Sequence, residues 1–147
     1  MESDKQLISP CGYSCGSCPA HEDGCTDEVV IENMAKRANM SLAQFQGHRC
    51  PGCRPAEGKP RGGVVCPTYD CCANKKGLDF CYQCEDFPCL KLAPISQGAE
   101  VRTHNSKIYN LLLLKKLGIG AFIEQGEQLW IQYARGKTPL SGDDIQI

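Results

Sequence analysis

Twelve cysteines constrain this chain more than any other feature, and all of them lie between Cys11 and Cys89. The first residues are polar and acidic, without the basic start and apolar centre of a secretion signal, so we expect a reducing, cytoplasmic location. In that setting closely spaced cysteines usually bind metal, whereas a secreted chain would form disulfides. The cysteine pattern therefore predicts a metal-binding protein.

Three Cys-x-x-Cys turns are the strongest part of this pattern. They are Cys15-Gly-Ser-Cys18, Cys50-Pro-Gly-Cys53 and Cys81-Tyr-Gln-Cys84. Such a turn presents two thiolates to one ion, and zinc takes four ligands in a tetrahedron. We therefore predict two or three zinc ions, held by Cys11, Cys15, Cys18, Cys25, Cys50, Cys53, Cys66, Cys71, Cys72, Cys81, Cys84 and Cys89.

Two groupings of these ligands stay open at this stage. A tandem arrangement uses the cysteines four at a time in chain order, so that Cys25 closes the first site. A nested arrangement joins the first and third turns across the domain and leaves some thiols free. Cys71 and Cys72 are adjacent, and extended backbone would point them to opposite faces, so we expect them not to share an ion.

An iron–sulfur cluster is the alternative cofactor, because it uses the same thiolates. The spacing Cys-x2-Cys-x2-Cys-x3-Cys-Pro of bacterial ferredoxins is absent from the sequence. Cys11-x3-Cys15-x2-Cys18 matches the cluster loop of radical S-adenosylmethionine enzymes, but a barrel of roughly 200 residues cannot fit in this chain. Zinc, which is redox-inert, suits closed four-thiolate sites better.

The large apolar residues are distributed in the opposite way to the cysteines. Val, Ile, Leu, Met, Phe, Tyr and Trp number 21 in the first 100 residues and 18 in the last 47. We predict a small, irregular α+β domain held by metal, zinc-knuckle-like, with a C-terminal helical segment. Residues 1–95 form the cysteine-rich region with a helical insertion near 27–46, and residues 96–147 form helices that pack on it as a single compact unit.

Local signals place four helices. Thr26 can cap a helix near 27–39, and Ser41-Leu-Ala-Gln44 has the pattern of a capping box with Gly47 as the stop. Apolar spacing predicts helices near 105–117 and 120–135. The stretch from Arg54 to Gly63 is predicted to be a mobile loop.

The remaining residues indicate no chemistry beyond metal binding. The charge is balanced, with 16 Lys and Arg against 17 Asp and Glu, and no apolar run could span a membrane. A zinc-ribbon-like nucleic-acid interface at Arg54, Lys59 and Arg61 is the alternative, but three charges without interleaved aromatic residues favour a solvated loop, so we expect a protein partner. His21, His48 and His104 are expected at the surface or beside the ligands, with Asp70, Glu85 and Asp86 hydrogen-bonding around a site. No catalytic residue can be named, and whether the protein is an enzyme stays open.

The cysteine segments together resemble one known family. They read Cys11-Gly-Tyr-Ser-Cys15-Gly-Ser-Cys18, Cys50-Pro-Gly-Cys53-Arg, Cys66-Pro-Thr-Tyr-Asp-Cys71-Cys72 and Cys81-Tyr-Gln-Cys84-Glu-Asp-Phe-Pro-Cys89. This pattern, over about residues 8–92, is similar to the bacterial and archaeal family called domain of unknown function 3795. The resemblance implies zinc binding without an established activity, and it extends to every cysteine except Cys25.

Overall fold

The computed structural model describes residues 2–60, 63–92 and 106–135, and all structural statements below refer to these residues. Its α-helices are α1 (Glu2–Lys5), α2 (Glu28–Arg37), α3 (Leu42–Gly47), α4 (Pro67–Tyr69), α5 (Ser106–Leu117), α6 (Ile119–Glu124) and α7 (Gly126–Arg135). A π-helical turn, Asp70–Lys75, continues α4, and Cys81–Gln83 and Leu90–Leu92 are short 3₁₀ helices. No helix in these ranges is long and apolar enough to cross a bilayer.

The predicted α+β, zinc-knuckle-like fold is wrong, because the structure is helical and these ranges contain no strand. The only extended pairing among them is an isolated antiparallel bridge between Ile8 and Ser14. Strand pairing needs two extended runs, but the Cys-x-x-Cys segments bond locally instead. The amide of Cys18 donates to the carbonyl of Cys15 at 3.0 Å, and that of Cys84 to Cys81 at 3.1 Å.

Helix α2 forms where a helix was predicted, with a different capping residue. Its N-cap is Asp27, whose carboxylate accepts hydrogen bonds from the amides of Val29 and Val30 at 3.0 and 3.1 Å. Thr26, the predicted cap, lies one residue earlier. A carboxylate also suits the positive end of the helix, so the local sequence explains where this helix begins.

Helix α3 has the predicted capping box. Ser41 Oγ accepts from the amide of Gln44 at 3.2 Å, and Gln44 Oε1 accepts from the amide of Ser41 at 2.9 Å. The helix ends at Gly47, as the sequence indicates.

We expect Ser41→Ala to lower the free energy of unfolding by about 1 kcal/mol, because one amide of the first turn loses its acceptor. Urea unfolding followed by circular dichroism measures the effect. Gln46→Ala, at an exposed position of the same helix, is the control and should leave the midpoint unchanged. Equal effects from the two variants would contradict the capping role.

The tail contains three helices in its described part, where the sequence predicted two. The first, Ser106–Leu117, matches its prediction, whereas the second is divided at Gln125 into α6 and α7. A Cβ atom on Gly126 would lie 2.3 Å from Ser17 Oγ and 2.4 Å from Ser14 Oγ. The start of α7 therefore lies directly against the first cysteine turn, which the apolar pattern alone did not reveal. The predicted burial of Tyr133 and the stop at Gly136 lie outside what the structure describes.

The cysteine-rich region and the tail share one apolar core. One cluster of buried side chains combines residues from both parts of the chain. Residues 106–135 contribute Leu111, Leu114, Phe122 and Leu129, and the cysteine-rich region contributes Ile8, Cys72, Phe80, Cys81 and Leu92. The C-terminal helices therefore supply much of the apolar burial that the cysteine-rich region lacks.

Candidate metal centre

The first and second Cys-x-x-Cys turns meet at one cavity of about 180 Å³. Its lining includes the thiols of both turns, namely Cys15, Cys18, Cys50 and Cys53. Between the turns the chain folds into α2 and α3, and the amide of Cys50 donates to the carbonyl of Ala20 at 2.9 Å. This bond returns the chain to the first turn, so that two segments distant in sequence face one space.

Cys15 and Cys53 are in direct contact across this cavity. The hydrogen bond from Cys53 lowers the pKa of Cys15 to about 7, and the positive charge of Arg54 acts in the same direction. The same contact raises the pKa of Cys53, because its proton is held by the neighbouring sulfur. The pair therefore holds its first negative charge easily, as thiols beside a cationic group do.

Cys18 lies on the apolar side of the same group. Burial raises its pKa to about 12, because the thiolate form would lose its hydration. It packs, with Cys50, against a cluster built on Ala20, Ala35 and Phe45. A cation would have to replace the proton of Cys18, which makes metal binding at this position dependent on pH.

Arg54 fixes the second turn to the rest of the molecule. Its Nε donates to the carbonyl of Ile8 at 2.8 Å, and its Nη2 donates to the carbonyl of Asp79. The guanidinium lies 5.0 Å from the ring centroid of Phe80, a cation–π contact. Arg54 is therefore a structural residue next to Cys53. Of the other two basic residues proposed to touch nucleic acid, Lys59 is exposed and Arg61 lies outside the described residues.

A second thiol group surrounds a smaller cavity of about 30 Å³. Five cysteines contribute to its lining, namely Cys71, Cys72, Cys81, Cys84 and Cys89. A hydrogen bond between Cys72 and Cys81 lowers the pKa of Cys72 and raises that of Cys81. Cys71 and Cys72 lie on a π-helical turn and not on extended backbone, so both can line this cavity.

Lys76 is part of the second group, and the sequence analysis did not single it out. Its Nζ lies 3.0 Å from Cys84 Sγ and 2.7 Å from Asp86 Oδ2. The pKa of Lys76 is raised by Asp86 and, to a lesser extent, by Cys84. Asp86 is thus placed beside a sulfur, as expected, whereas Asp70 pairs with Lys75 at 2.8 Å. The sequence feature that could have indicated Lys76 is the basic pair Lys75-Lys76, which lies between two cysteine segments.

The remaining cysteines, Cys11, Cys25 and Cys66, line neither cavity. Cys11 Sγ lies 3.3 Å from Ser9 Oγ, and burial raises the pKa of Cys11, with smaller contributions in the same direction from Cys15 and Cys66. Cys25 is buried with Val30 and Trp130 in a cluster against which Cys18 packs, and it lines neither cavity. The structure thus brings the first turn to the second, as neither grouping predicted. The second group contains Cys72, Cys81, Cys84 and Cys89, the four cysteines of the third site in the tandem arrangement.

The thiols of the two groups are not arranged as an assembled metal site. In the described part of the chain, no three or more His, Cys, Asp or Glu side chains are arranged as a metal site. The sulfurs approach as pairs, Cys15 with Cys53 and Cys72 with Cys81. Thiolates are ligands that zinc commonly takes in proteins, and each cavity is lined by at least four thiols.

The histidines differ in their surroundings. His21 and His48 both line the larger cavity. His21 Nδ1 accepts from the amide of Asp23 at 3.4 Å, whereas His48 Nε2 is buried and lacks a hydrogen-bond partner among the described residues. Ser14 Oγ and Gln125 Oε1 are also buried without a hydrogen-bond partner among the described residues, but neither residue lines the cavity. His104 lies outside the described residues.

These features define a small helical protein in which two groups of thiols line two separate cavities. Comparison with family models identifies the family: residues 7–94 match the model described as "Protein of unknown function (DUF3795)". The chain belongs to this family, which confirms the resemblance inferred from its cysteine segments. Searches of curated proteins and of solved structures gave no match.

Proposed function

We propose that this protein is a structural zinc-binding protein whose first ion is held by Cys15, Cys18, Cys50 and Cys53. The observation that carries the proposal is the meeting of two Cys-x-x-Cys turns, distant in sequence, around one cavity. Two such turns supply the four thiolates of a closed tetrahedral site, the arrangement typical of structural zinc. The ion contributes binding free energy and no reaction step.

The ion would connect the two ends of the chain segment that contains α2 and α3. Helices α2 and α3 lie between the two turns, and α3 has a single buried side chain, Phe45. A structural zinc ion supplies about 10–16 kcal/mol of apparent binding free energy in small domains. Bound at both ends of this insertion, it would supply cohesion that the small cluster around Phe45 does not.

We place a second ion at the smaller cavity. Four of its five thiols are enough for zinc, and Lys76 beside Cys84 offsets the negative charge that such a centre accumulates. In this proposal the two ions fix a rigid surface for a protein partner.

The metal content of anaerobically purified protein tests the proposal. We expect colourless protein with two zinc ions per chain, measured by plasma mass spectrometry, and we expect a chelator to lower its thermal stability. Cys50→Ser should lose one ion, because a hydroxyl is a poor zinc ligand. Cys25→Ala is the matched control: Cys25 lines neither cavity, so both ions should remain.

Three results would contradict the proposal. One is iron with inorganic sulfide and a visible absorption band, which would indicate a cluster. Another is protein that binds no metal when zinc is supplied during refolding. The third is equal loss of zinc from Cys50→Ser and Cys25→Ala, which would show that the first site is not the one described.

A further inference from the structure

The larger cavity extends beyond its thiols into an apolar space. The side chains that line this part are mostly apolar or aromatic: Tyr13, Met34, Ala38, Met40, Phe45 and Trp130. The whole cavity, including its thiol-lined end, holds about 180 Å³, compared with the ~150 Å³ of an engineered apolar cavity that binds benzene. The space therefore suits one aromatic ring with a small substituent.

The polar atoms of the two large aromatic residues are used elsewhere. Trp130 Nε1 donates to the carbonyl of Ser14 at 3.0 Å, and the Tyr13 hydroxyl bonds to Ser106 Oγ at 2.9 Å. The two rings stack with centroids 5.8 Å apart. With these groups occupied, Tyr13 and Trp130 contribute ring surface to the cavity and not hydrogen-bonding groups.

His48 supplies the polar contact that the aromatic walls lack. Its Nε2 atom is buried, lies on a residue that lines the cavity, and has no hydrogen-bond partner among the described residues. A buried polar atom without a partner favours a ligand that can satisfy it. A hydroxyl group both donates and accepts, so it can bond to Nε2 in either neutral tautomer of the imidazole.

We propose that this cavity binds a small monohydroxylated aromatic compound of the phenol class. The ring lies among Met34, Phe45 and Trp130, and the hydroxyl bonds to His48 Nε2. This binding site goes beyond the proposed zinc centre, whose ion occupies the sulfur-lined end. It requires the folded second turn but no particular metal.

The single tryptophan allows a direct test, because Trp130 lines the cavity. The purified, metal-loaded protein is titrated with phenol and, separately, with benzene, while tryptophan fluorescence and heat release are recorded. We expect saturable phenol binding about tenfold tighter than benzene binding, the effect of one added hydrogen bond. His48→Phe should remove that difference and keep the zinc content.

A second pair of variants tests the cavity itself. Ala38→Leu should fill the space and weaken both ligands at least tenfold, whereas Ala43→Leu, at an exposed position of α3, should not. If His48→Phe does not fold, this pair decides the question. The inference is overturned by absence of saturable phenol binding, by equal affinity for phenol and benzene, or by loss of zinc in His48→Phe. Zinc bound normally without phenol binding would reject this site and leave the zinc proposal standing.

Discussion

Replacing Gly24 by alanine is expected to lower the free energy of unfolding by about 3 kcal/mol and to remove the first zinc ion. A Cβ atom at this position would lie 1.6 Å from the carbonyl oxygen of Cys18 and 2.6 Å from its carbonyl carbon. Both are backbone atoms, so no rotation of a side chain can relieve the contact. The same carbonyl accepts the amide of His21 at 2.8 Å, and its displacement moves a proposed ligand.

Urea unfolding and zinc analysis of the same preparation measure both effects. Gly120→Ala is the matched control, because a Cβ atom there meets nothing within 4 Å and the residue lies inside α6. That variant should gain about 0.5–1 kcal/mol from the better helix propensity of alanine. Full zinc content and an unchanged midpoint in Gly24→Ala would show that the Cys18 loop is not packed as described.

The second large effect is expected for Arg54→Ala, with a loss of about 3 kcal/mol of stability. The guanidinium donates to two backbone carbonyls, those of Ile8 and Asp79, and Ile8 is fully buried. Truncation leaves a buried acceptor without its charged donor and also removes the contact with Phe80. Because Arg54 follows Cys53 directly, we expect weaker zinc binding as well.

Arg54→Lys is expected to recover only part of this loss, since an ammonium group cannot reproduce the planar fork that reaches both carbonyls. Lys59→Ala, at an exposed position of the same loop, should leave stability unchanged. The comparison also separates a structural Arg54 from one that binds nucleic acid. Similar stability of Arg54→Ala and Lys59→Ala, together with weakened salt-dependent retention on a polyphosphate resin, would favour the nucleic-acid role.

Helices set by local signals could be predicted from the sequence. The capping box at Ser41 and the apolar spacing of residues 106–117 depend on residues within one or two turns of each other. Both elements appear where the sequence places them. The α+β fold was wrong for a related reason: it was inferred by analogy from Cys-x-x-Cys turns, although no alternating apolar run supports a strand.

The arrangement of the thiols could not be predicted, because it depends on long-range packing. Three turns of similar sequence can pair in several ways, and the choice is made by contacts such as the bond from Cys50 to Ala20. The structural role of Arg54 depends on Asp79, far along the chain, so its charge alone suggested a surface site. Cys25 carries the same side chain as the other cysteines, but it is buried against Val30 and Trp130 and lines neither cavity.

The shared core has a consequence for dissecting the protein. The family match ends at residue 94, yet Asn110 Nδ2 donates to the carbonyl of Gly12 at 2.9 Å, and Leu111 packs with Ile8. A fragment cut at that boundary would expose Ile8 and Phe80 to water. The cooperative unit of unfolding therefore extends past the matched segment, and expression of the cysteine-rich part alone would yield an aggregation-prone fragment.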